Sequence, residues 1–501
     1  MQVYLGHRRV DCSSDSKNER LDKMAGLYLQ SVRSFLLGDE MNSKAQDAHD
    51  FTTGSILPKL IRFSVPVLFA LLLQATYGAV DLMVVGQFAT SADVSAVATG
   101  SNIMMTLTGP LSSFAMGITV LLGQQIGSGE GRNGGRIIGA GITLFILLGS
   151  VLTAILVGFP DAIATAMHAP EAAFLQTSGY VRICGAGVLI IVAYNLIGSI
   201  FRGIGDSKTP LIAVLIACIF NVAGDLFLVA ACGLGARGAA IATVAAQGIS
   251  VLISLVLIRK QPLPFSFSRK MICVNTGIWR RITALGLPLA VSDLLVGFSF
   301  MIIQAIVNSL GLVPSAGIGV AEKVCAFIML VPSSFMQSMA ALSAQNIGAG
   351  KGKRALLALR YGISASLAAG AVIGVFSFFR GDLLCSIFSN DPEVILAGAD
   401  YLKSYAIDCL FTAIFFVFIG YYNGLGLTRF VMLQGIISAF CVRVPVSWFM
   451  SRIRPVSLFY IGLATPCSSL LQIFMCFACL AWLKKRNDYR VTDHPLHIDH
   501  F

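Results

Sequence analysis

The sequence predicts an all-α integral membrane protein with twelve transmembrane helices in two pseudo-symmetric six-helix lobes. Three observations carry this prediction: an unusually apolar composition, twelve apolar runs of bilayer-spanning length, and short motifs that return at one fixed spacing. Of 501 residues, 56% are hydrophobic and only 12% are charged, with mean hydropathy +0.79. A soluble chain would carry roughly 25% charged residues. Residues 1–54 hold 15 of the 61 formal charges, so the remainder is nearly charge-free. All six histidines (His7, His49, His168, His494, His497, His500) lie outside the apolar runs, which excludes a histidine proton relay or a histidine-ligated metal within the membrane. The twelve cysteines fall mostly inside apolar segments, where Cys behaves as a small hydrophobe. Cys476-x-x-Cys479 lies on one face of an apolar helix and lacks the strand-to-helix turn of a redox pair. The net charge of +11 reads as membrane topology, with the lipid bilayer rather than nucleic acid as the partner.

An apolar run of about 20 residues crosses the hydrocarbon core as a helix. Twelve such runs are expected near 60–86, 94–122, 137–159, 176–201, 209–230, 237–258, 282–309, 315–342, 356–378, 398–424, 428–450 and 459–483. The connections are short except for the basic stretch 259–281, with Arg259, Lys260, Arg269, Lys270, Arg280 and Arg281. The expected organisation is an N-terminal tail (1–54), a first six-helix lobe (55–258), the basic linker (259–281), a second lobe (282–485) and a C-terminal tail (486–501). Positive charge concentrates on the cytoplasmic side of a membrane protein. With the N-terminus inside, the even loops, the C-terminal tail and the Lys59/Arg62 flank hold 21 Lys and Arg, whereas the odd loops hold four: Arg237, Arg380, Arg452 and Arg454. Both termini are therefore expected in the cytoplasm of a multi-pass plasma-membrane protein. The first residues lack the basic-then-apolar pattern of a signal peptide.

The two halves echo one another. Gly123-Gln124-Gln125-Ile126-Gly127-Ser128-Gly129 returns as Ala344-Gln345-Asn346-Ile347-Gly348-Ala349-Gly350, 221 residues later. Arg202-Gly203-Ile204-Gly205 returns as Asn423-Gly424-Leu425-Gly426 at 221, and Pro66 as Pro288 at 222. Because each half has an even number of helices, the copies share one orientation and are related by an axis along the membrane normal. Parallel-repeat secondary transporters have this architecture, with the substrate site between the halves. The glycines of these motifs read first as tight-turn chemistry. Gly203-x-Gly205-Asp206 also matches the start of an intramembrane aspartyl protease motif, but Asp206 lies in a loop between Arg202 and Lys208.

Nine ionisable residues fall five or more residues inside a span: Asp81, Arg182, Asp225, Asp293, Glu322, Lys323, Lys403, Asp408 and Arg443. Each costs roughly 2.5–3.5 kcal/mol near the bilayer centre, so each is a functional candidate. Asp81 maps onto Ile303 of the second half, and Asp225 onto Val446 or Pro445, so these acids serve one lobe only. Asn221 precedes Asp225 by one helical turn and shares its face. The next helix carries Thr243 within Gly238-Ala239-Ala240-Ile241-Ala242-Thr243, whose small residues admit a close neighbour. Carboxylate, amide and hydroxyl oxygens are hard ligands suited to a proton or Na⁺ and poorly suited to zinc or copper. The alternative is that these groups stitch helices together by hydrogen bonds. Pro66, fifteen residues before Asp81, removes a backbone hydrogen bond and permits span 1 to bend or holds it in a static kink.

Taken together, these residues resemble the multidrug and toxic compound extrusion (MATE) family. The resemblance covers about residues 51–485. It rests on Asp50-Phe51-Thr52-Thr53-Gly54, Pro66, Val80-Asp81, Val85-Gly86, Gly123-Gln124 to Gly129, Arg202 to Asp206, Asn221-x-x-x-Asp225, Gly238 to Thr243 and Arg443-Val444-Pro445. It implies two six-helix lobes forming a V-shaped cavity, and no enzymatic activity. The implied activity is antiport of cationic or amphipathic compounds against H⁺ or Na⁺, without a cofactor and as a monomer. It places a cation site on Asp81, Asn221, Asp225 and Thr243, and cavity-lining polar groups on Gln74, Tyr77 and Asn195. Gln74 and Asp81 are two turns apart and share a helix face. A branch of the family uses acids in spans 7 and 10, near Val296 and Thr412 here. Asp293 and Asp408 stand one turn earlier, as possible second-lobe acids, with Lys403 expected to pair with Asp408. A lipid-linked precursor flippase of the related superfamily is the runner-up, an aspartyl protease the competitor from another class.

Overall fold

A computed structural model of the chain describes residues 50–129, 133–260, 263–453 and 455–485. Among these residues there is no strand. Eleven helices are long and apolar enough to span a bilayer, and a bent pair supplies a twelfth. In chain order the spans are 1 (Ile56–Phe88), 2 (Ser91–Gly127), 3 (Gly134–Gly158), 4 (Glu171–Ala186 with Val188–Ile204), 5 (Lys208–Ala231) and 6 (Gly235–Arg259), then 7 (Thr276–Asn308), 8 (Leu312–Gly348), 9 (Gly352–Cys385), 10 (Pro392–Gly424), 11 (Thr428–Met450) and 12 (Leu458–Lys485). All twelve runs expected from the sequence are present. Most extend several residues beyond the apolar stretch, because the helix continues wherever its backbone groups remain paired. Of the expected tails, residues 1–49 and 486–501 lie outside the described residues.

Local chemistry fixes where the elements start and bend. Span 2 opens on a capping box: Thr90 Oγ1 accepts from the Asp93 backbone N–H at 3.2 Å, and the Thr90 N–H donates to Asp93 Oδ2 at 3.2 Å. The other Asp93 oxygen accepts from the Ala236 N–H at 3.0 Å, which ties the head of span 2 to the head of span 6. Span 5 is pinned by Asp206, whose Oδ1 accepts from the N–H groups of Lys208 and Thr209 at 3.0 and 3.1 Å. That is a helix-capping role, and it accounts for the loop acid without a protease. Span 4 bends by 53° at Gly187. Span 1 is continuous through Pro66. Among the described residues two π-turns interrupt the helices, Leu226–Ala231 directly after Asp225 and Ala439–Arg443 in span 11.

The halves interlock at the end of the bundle that carries Gly129 and Gly350. There a Cβ on Gly127 would lie 1.9 Å from the Gln345 carbonyl oxygen, and one on Gly348 1.9 Å from that of Gln124. Gln124 Nε2 donates to the Gly424 carbonyl at 3.0 Å, and Gln345 Nε2 to the Gly203 carbonyl at 3.1 Å. Both pairs are repeat equivalents. The tight-turn reading holds for Gly129, Gly205, Gly350 and Gly426, with φ of +75°, +91°, +69° and +82°. For Gly127 and Gly348 it is corrected: they lie inside helices and are small because another backbone touches them. The segment before span 1 is strapped to the same end. The Phe51 N–H donates to Gln345 Oε1 at 3.1 Å, and its carbonyl accepts from Asn346 Nδ2 at 3.2 Å and Arg354 Nε at 3.1 Å. Lys351 Nζ donates to the Thr52 carbonyl at 2.9 Å.

Candidate functional site

Asp81 of span 1 and Asp225 of span 5 are almost fully buried, 4% and 0% exposed, and Asn221 is 1% exposed. The structure brings all four sequence-nominated groups together: Asp225, Asn221 and Thr243 each stand against the Asp81 carboxyl group. Thr243 Oγ1 donates to Asp81 Oδ2 at 3.0 Å. Small residues allow this closeness, since a Cβ on Gly224 would meet Ala242 of span 6 at 3.1 Å. The anchor from Asp93 to Ala236 sets the axial register of span 6, and Thr243 follows Ala236 by two turns on the same face.

The polar inventory of the cluster does not close. Asp81 Oδ1, both Asp225 oxygens and both amide atoms of Asn221 are buried without a hydrogen-bond partner. Two adjacent carboxylates have no donor between them unless one carries a proton, so proximity alone leaves them unpaired. Each unmet buried group costs about 1–3 kcal/mol. A proton shared by the carboxylates, or a small hard cation among these oxygens, reduces the deficit on the oxygens, and the donor set fits either, while Asn221 Nδ2 still needs an acceptor.

A cavity of about 200 Å³ lies beside the cluster. Gln74, Ser112, Tyr194, Asn195 and Arg202 are among its lining residues. Gln74 Nε2 donates to the Tyr194 hydroxyl, joining spans 1 and 4. Ser112 donates to Asn195 Oδ1 at 2.7 Å, and Asn195 Nδ2 to the Ile191 carbonyl at 3.0 Å. Tyr77, Asn221, Thr243 and Gln247 line a narrower pocket. Tyr194, Val214 and Ser250 line both spaces, so the cavity and the carboxylate cluster share a wall. Sequence reasoning missed Tyr194, Ser112, Gln247 and Arg202 as site residues. Tyr194 adjoins the nominated Asn195, the one signal that pointed to it; single Ser and Gln residues in apolar runs gave none.

The second-half acids lie apart. Asp293 of span 7 is exposed and accepts from Ser113, which lines the cavity. Asp408 of span 10 is 2% exposed and accepts from Thr412 Oγ1 at 2.9 Å. The expected Lys403–Asp408 pair is corrected: Lys403 Nζ lies 3.9 Å from Asp400, one turn away on an exposed face. Five helical positions separate Lys403 from Asp408, which turns the two side chains to different faces.

The MatE family model matches residues 66–227 and again residues 288–449. The chain is 27% identical over 416 residues to "Probable multidrug resistance protein YpnP" of Bacillus subtilis (strain 168), covering 81% of this chain and 90% of that one. It is 21% identical over 412 residues to "Multidrug export protein MepA" of Staphylococcus aureus (strain MSSA476), covering 82% and 90%. Among solved structures it is similar to "Outward-facing conformation of a multidrug resistance MATE family transporter of the MOP superfamily", with TM-score 0.81, 17% identity, and coverage of 87% of this chain and 98% of that one. The family match falls twice, at the displacement of the internal repeat, and covers more than half of the chain. The chain therefore belongs to the MATE family of multidrug efflux transporters, a multi-pass membrane transporter and not an enzyme.

Proposed function

We propose that the chain is an antiporter that exports cationic or amphipathic small molecules by alternating access, driven by H⁺ or Na⁺ taken up at Asp81, Asn221, Asp225 and Thr243. It acts as a monomer in the plasma membrane, with both termini cytoplasmic and no cofactor. The observation that supports this reading is the convergence of two buried carboxylates, from spans 1 and 5, into one cluster with five orphaned polar atoms. At about 4 Å and an effective dielectric near 20, two like charges repel by roughly 4 kcal/mol. A proton or Na⁺ neutralises that repulsion and changes the hydrogen bonds that tie span 1 to span 6. Pro66 gives span 1 a place to bend in response. Substrate and ion compete through the wall they share at Tyr194 and Ser250. One charge moved through 100 mV supplies about 2.3 kcal/mol, roughly fifty-fold in substrate concentration.

The flippase reading needs a strongly cationic cavity. Among the described residues Arg202 is the single Lys or Arg on the cavity wall, so efflux is the better-supported activity. The test is efflux of a cationic dye from vesicles on which a Na⁺ gradient and a pH gradient are imposed separately. Asp225→Asn is expected to express normally and to lose at least tenfold of gradient-driven efflux. Normal efflux in that variant removes the cluster from the coupling mechanism, and efflux indifferent to both gradients would indicate a passive channel.

A further inference from the structure

The second half contains a counterpart of the first-half cluster, and its contents differ. At the Gly landmarks the repeat displacement is 221, whereas the family match runs from 66–227 to 288–449, a displacement of 222 at both ends. The π-turn Ala439–Arg443 accounts for the change, because a π-turn accommodates one extra residue in a helix and none precedes Asn221 in span 5. Beyond it the register is 222: Asn221 falls on Arg443, and Asp225 on Ser447 rather than on Val446 or Pro445. Past the first half's own π-turn at Leu226–Ala231 the connections to spans 6 and 12 differ in length, and there the pair Ala242-Thr243 recurs as Ala464-Thr465, again 222 residues on; Asp81 falls on Ile303. The hydroxyl is therefore retained, both acids are gone, and a guanidinium stands where the first half has an amide.

Arg443 is buried at 4% exposure, and it points at the helix that replaces span 1 in the repeat. Its Nη1 donates to Ser299 Oγ at 3.2 Å, and its guanidinium carbon lies 4.4 Å from the Phe300 ring centroid. Ser299 precedes Ile303, the Asp81 counterpart, by one turn of span 7. The acid that acts on Arg443 is Asp408 of span 10, through charge at longer range than an ion pair: its Oδ2 accepts from Thr412, while its Oδ1 and Arg443 Nε are both buried without a hydrogen-bond partner. The first-half equivalents of Asp408 are Ala186 and Gly187 at 222 and 221, which carry no charge. The first half thus buries two acids without a cation, and the second buries one acid with one cation.

We propose that Arg443 is a built-in cation: its guanidinium permanently fills the second-half counterpart of the ion site, with Asp408 as its counter-charge, so that only the first half loads an ion in each cycle. A guanidinium suits this role because it stays protonated in proteins and cannot dissociate from the chain. The proposal rests on the reading that Asp81 and Asp225 hold the coupling ion, and the variants below separate the two.

The experiment measures ion equivalents bound per purified full-length protein, by equilibrium binding of radiolabelled Na⁺ and, in parallel, potentiometric proton uptake. The parent is expected to show one saturable equivalent at the first-half cluster, lost in Asp225→Asn. Arg443→Gln leaves Asp408 without a cation, and the equivalents bound are expected to double. The added equivalent should persist in Arg443→Gln/Asp225→Asn and vanish in Arg443→Gln/Asp408→Asn, which returns to the parent's count. Arg443→Lys, which keeps a cation, should bind as the parent does. A folded Arg443→Gln protein that binds no more than the parent overturns the proposal. So does a charge-neutral Arg443→Gln/Asp408→Asn protein that binds less than the parent, since Asp408 would then be an ion ligand beside Arg443. If the single variant does not fold, this neutral double variant decides the question alone. Binding that survives in Asp225→Asn would instead refute the first-half site, leaving the gain in Arg443→Gln to be read independently.

Discussion

The Thr243 hydroxyl has one proton and two acceptors, Asp81 Oδ2 at 3.0 Å and the Ala239 carbonyl at 2.9 Å. On the proposed coupling mechanism, it donates to Asp81 when that carboxylate is charged and turns to its own helix when a proton or Na⁺ is taken up, presenting its oxygen to the ion. A hydrogen bond to a charged group contributes about 1.5–3 kcal/mol, and the competing carbonyl reduces what is lost on deletion. Thr243→Ala is therefore expected to raise the half-saturating ion concentration for efflux roughly tenfold, with Thr243→Ser close to the parent; the ion dependence of dye efflux in vesicles measures both. The coming together of Asp81, Asn221, Asp225 and Thr243 was legible in the sequence because polar groups in lipid-spanning runs are few and expensive, so each one advertises itself. The surroundings of Asp408 were not legible. Nearness along the chain favoured Lys403, but the inward face of span 10 is set by its packing on spans 8, 9 and 12, and the cation that acts on that face, Arg443, comes from span 11.

At the scale of elements, glycine has two uses in the repeated motif. Gly129 and Gly350 adopt left-handed backbone conformations, and Gly127 and Gly348 admit a carbonyl oxygen at a distance no Cβ tolerates. Sequence alone shows both as Gly-x-Gly on a turn, and a crossing helix separates them only once the bundle is assembled. Gly127→Ala must push spans 2 and 8 apart, and overpacking of this kind costs about 1–3 kcal/mol or more. A clear loss of thermal stability in detergent is expected. Gly86→Ala, where an added Cβ meets nothing within 4 Å, should be neutral or slightly stabilising in the same melting assay. The twelve spans themselves were readable from apolar run length, which is a property of the bilayer rather than of any tertiary contact. The two π-turns were not, because one surplus residue in a helix leaves hydropathy unchanged.

Across the whole molecule, the strap formed by Phe51 to Thr53 binds the start of span 1 to the turn between spans 8 and 9. Arg354 contributes two of its hydrogen bonds, Nε to the Phe51 carbonyl at 3.1 Å and Nη2 to the Thr53 carbonyl at 2.5 Å. Under the alternating access proposed above, this end of the bundle parts when the other closes. Arg354→Ala should favour that parting, seen as faster deuterium uptake in peptides covering residues 342–350 while peptides from span 3 stay unchanged; equal uptake would show that the strap does not restrain the opening.

The crossed contacts at this end have a further consequence. Gln124 grips the turn at Gly424 and Gln345 the turn at Gly203, while residues 51–67 enter a core made largely by the second half and Ile282 and Ala290 enter that of the first. Each half presents to the other the surface it receives, which is the definition of an isologous contact and the signature of a two-fold homodimer. The single covalent tether between the halves is then dispensable for recognition: two fragments divided within residues 263–275 and produced together should find each other and co-purify, whereas either one bearing Gly127→Ala or Gly348→Ala should fail to.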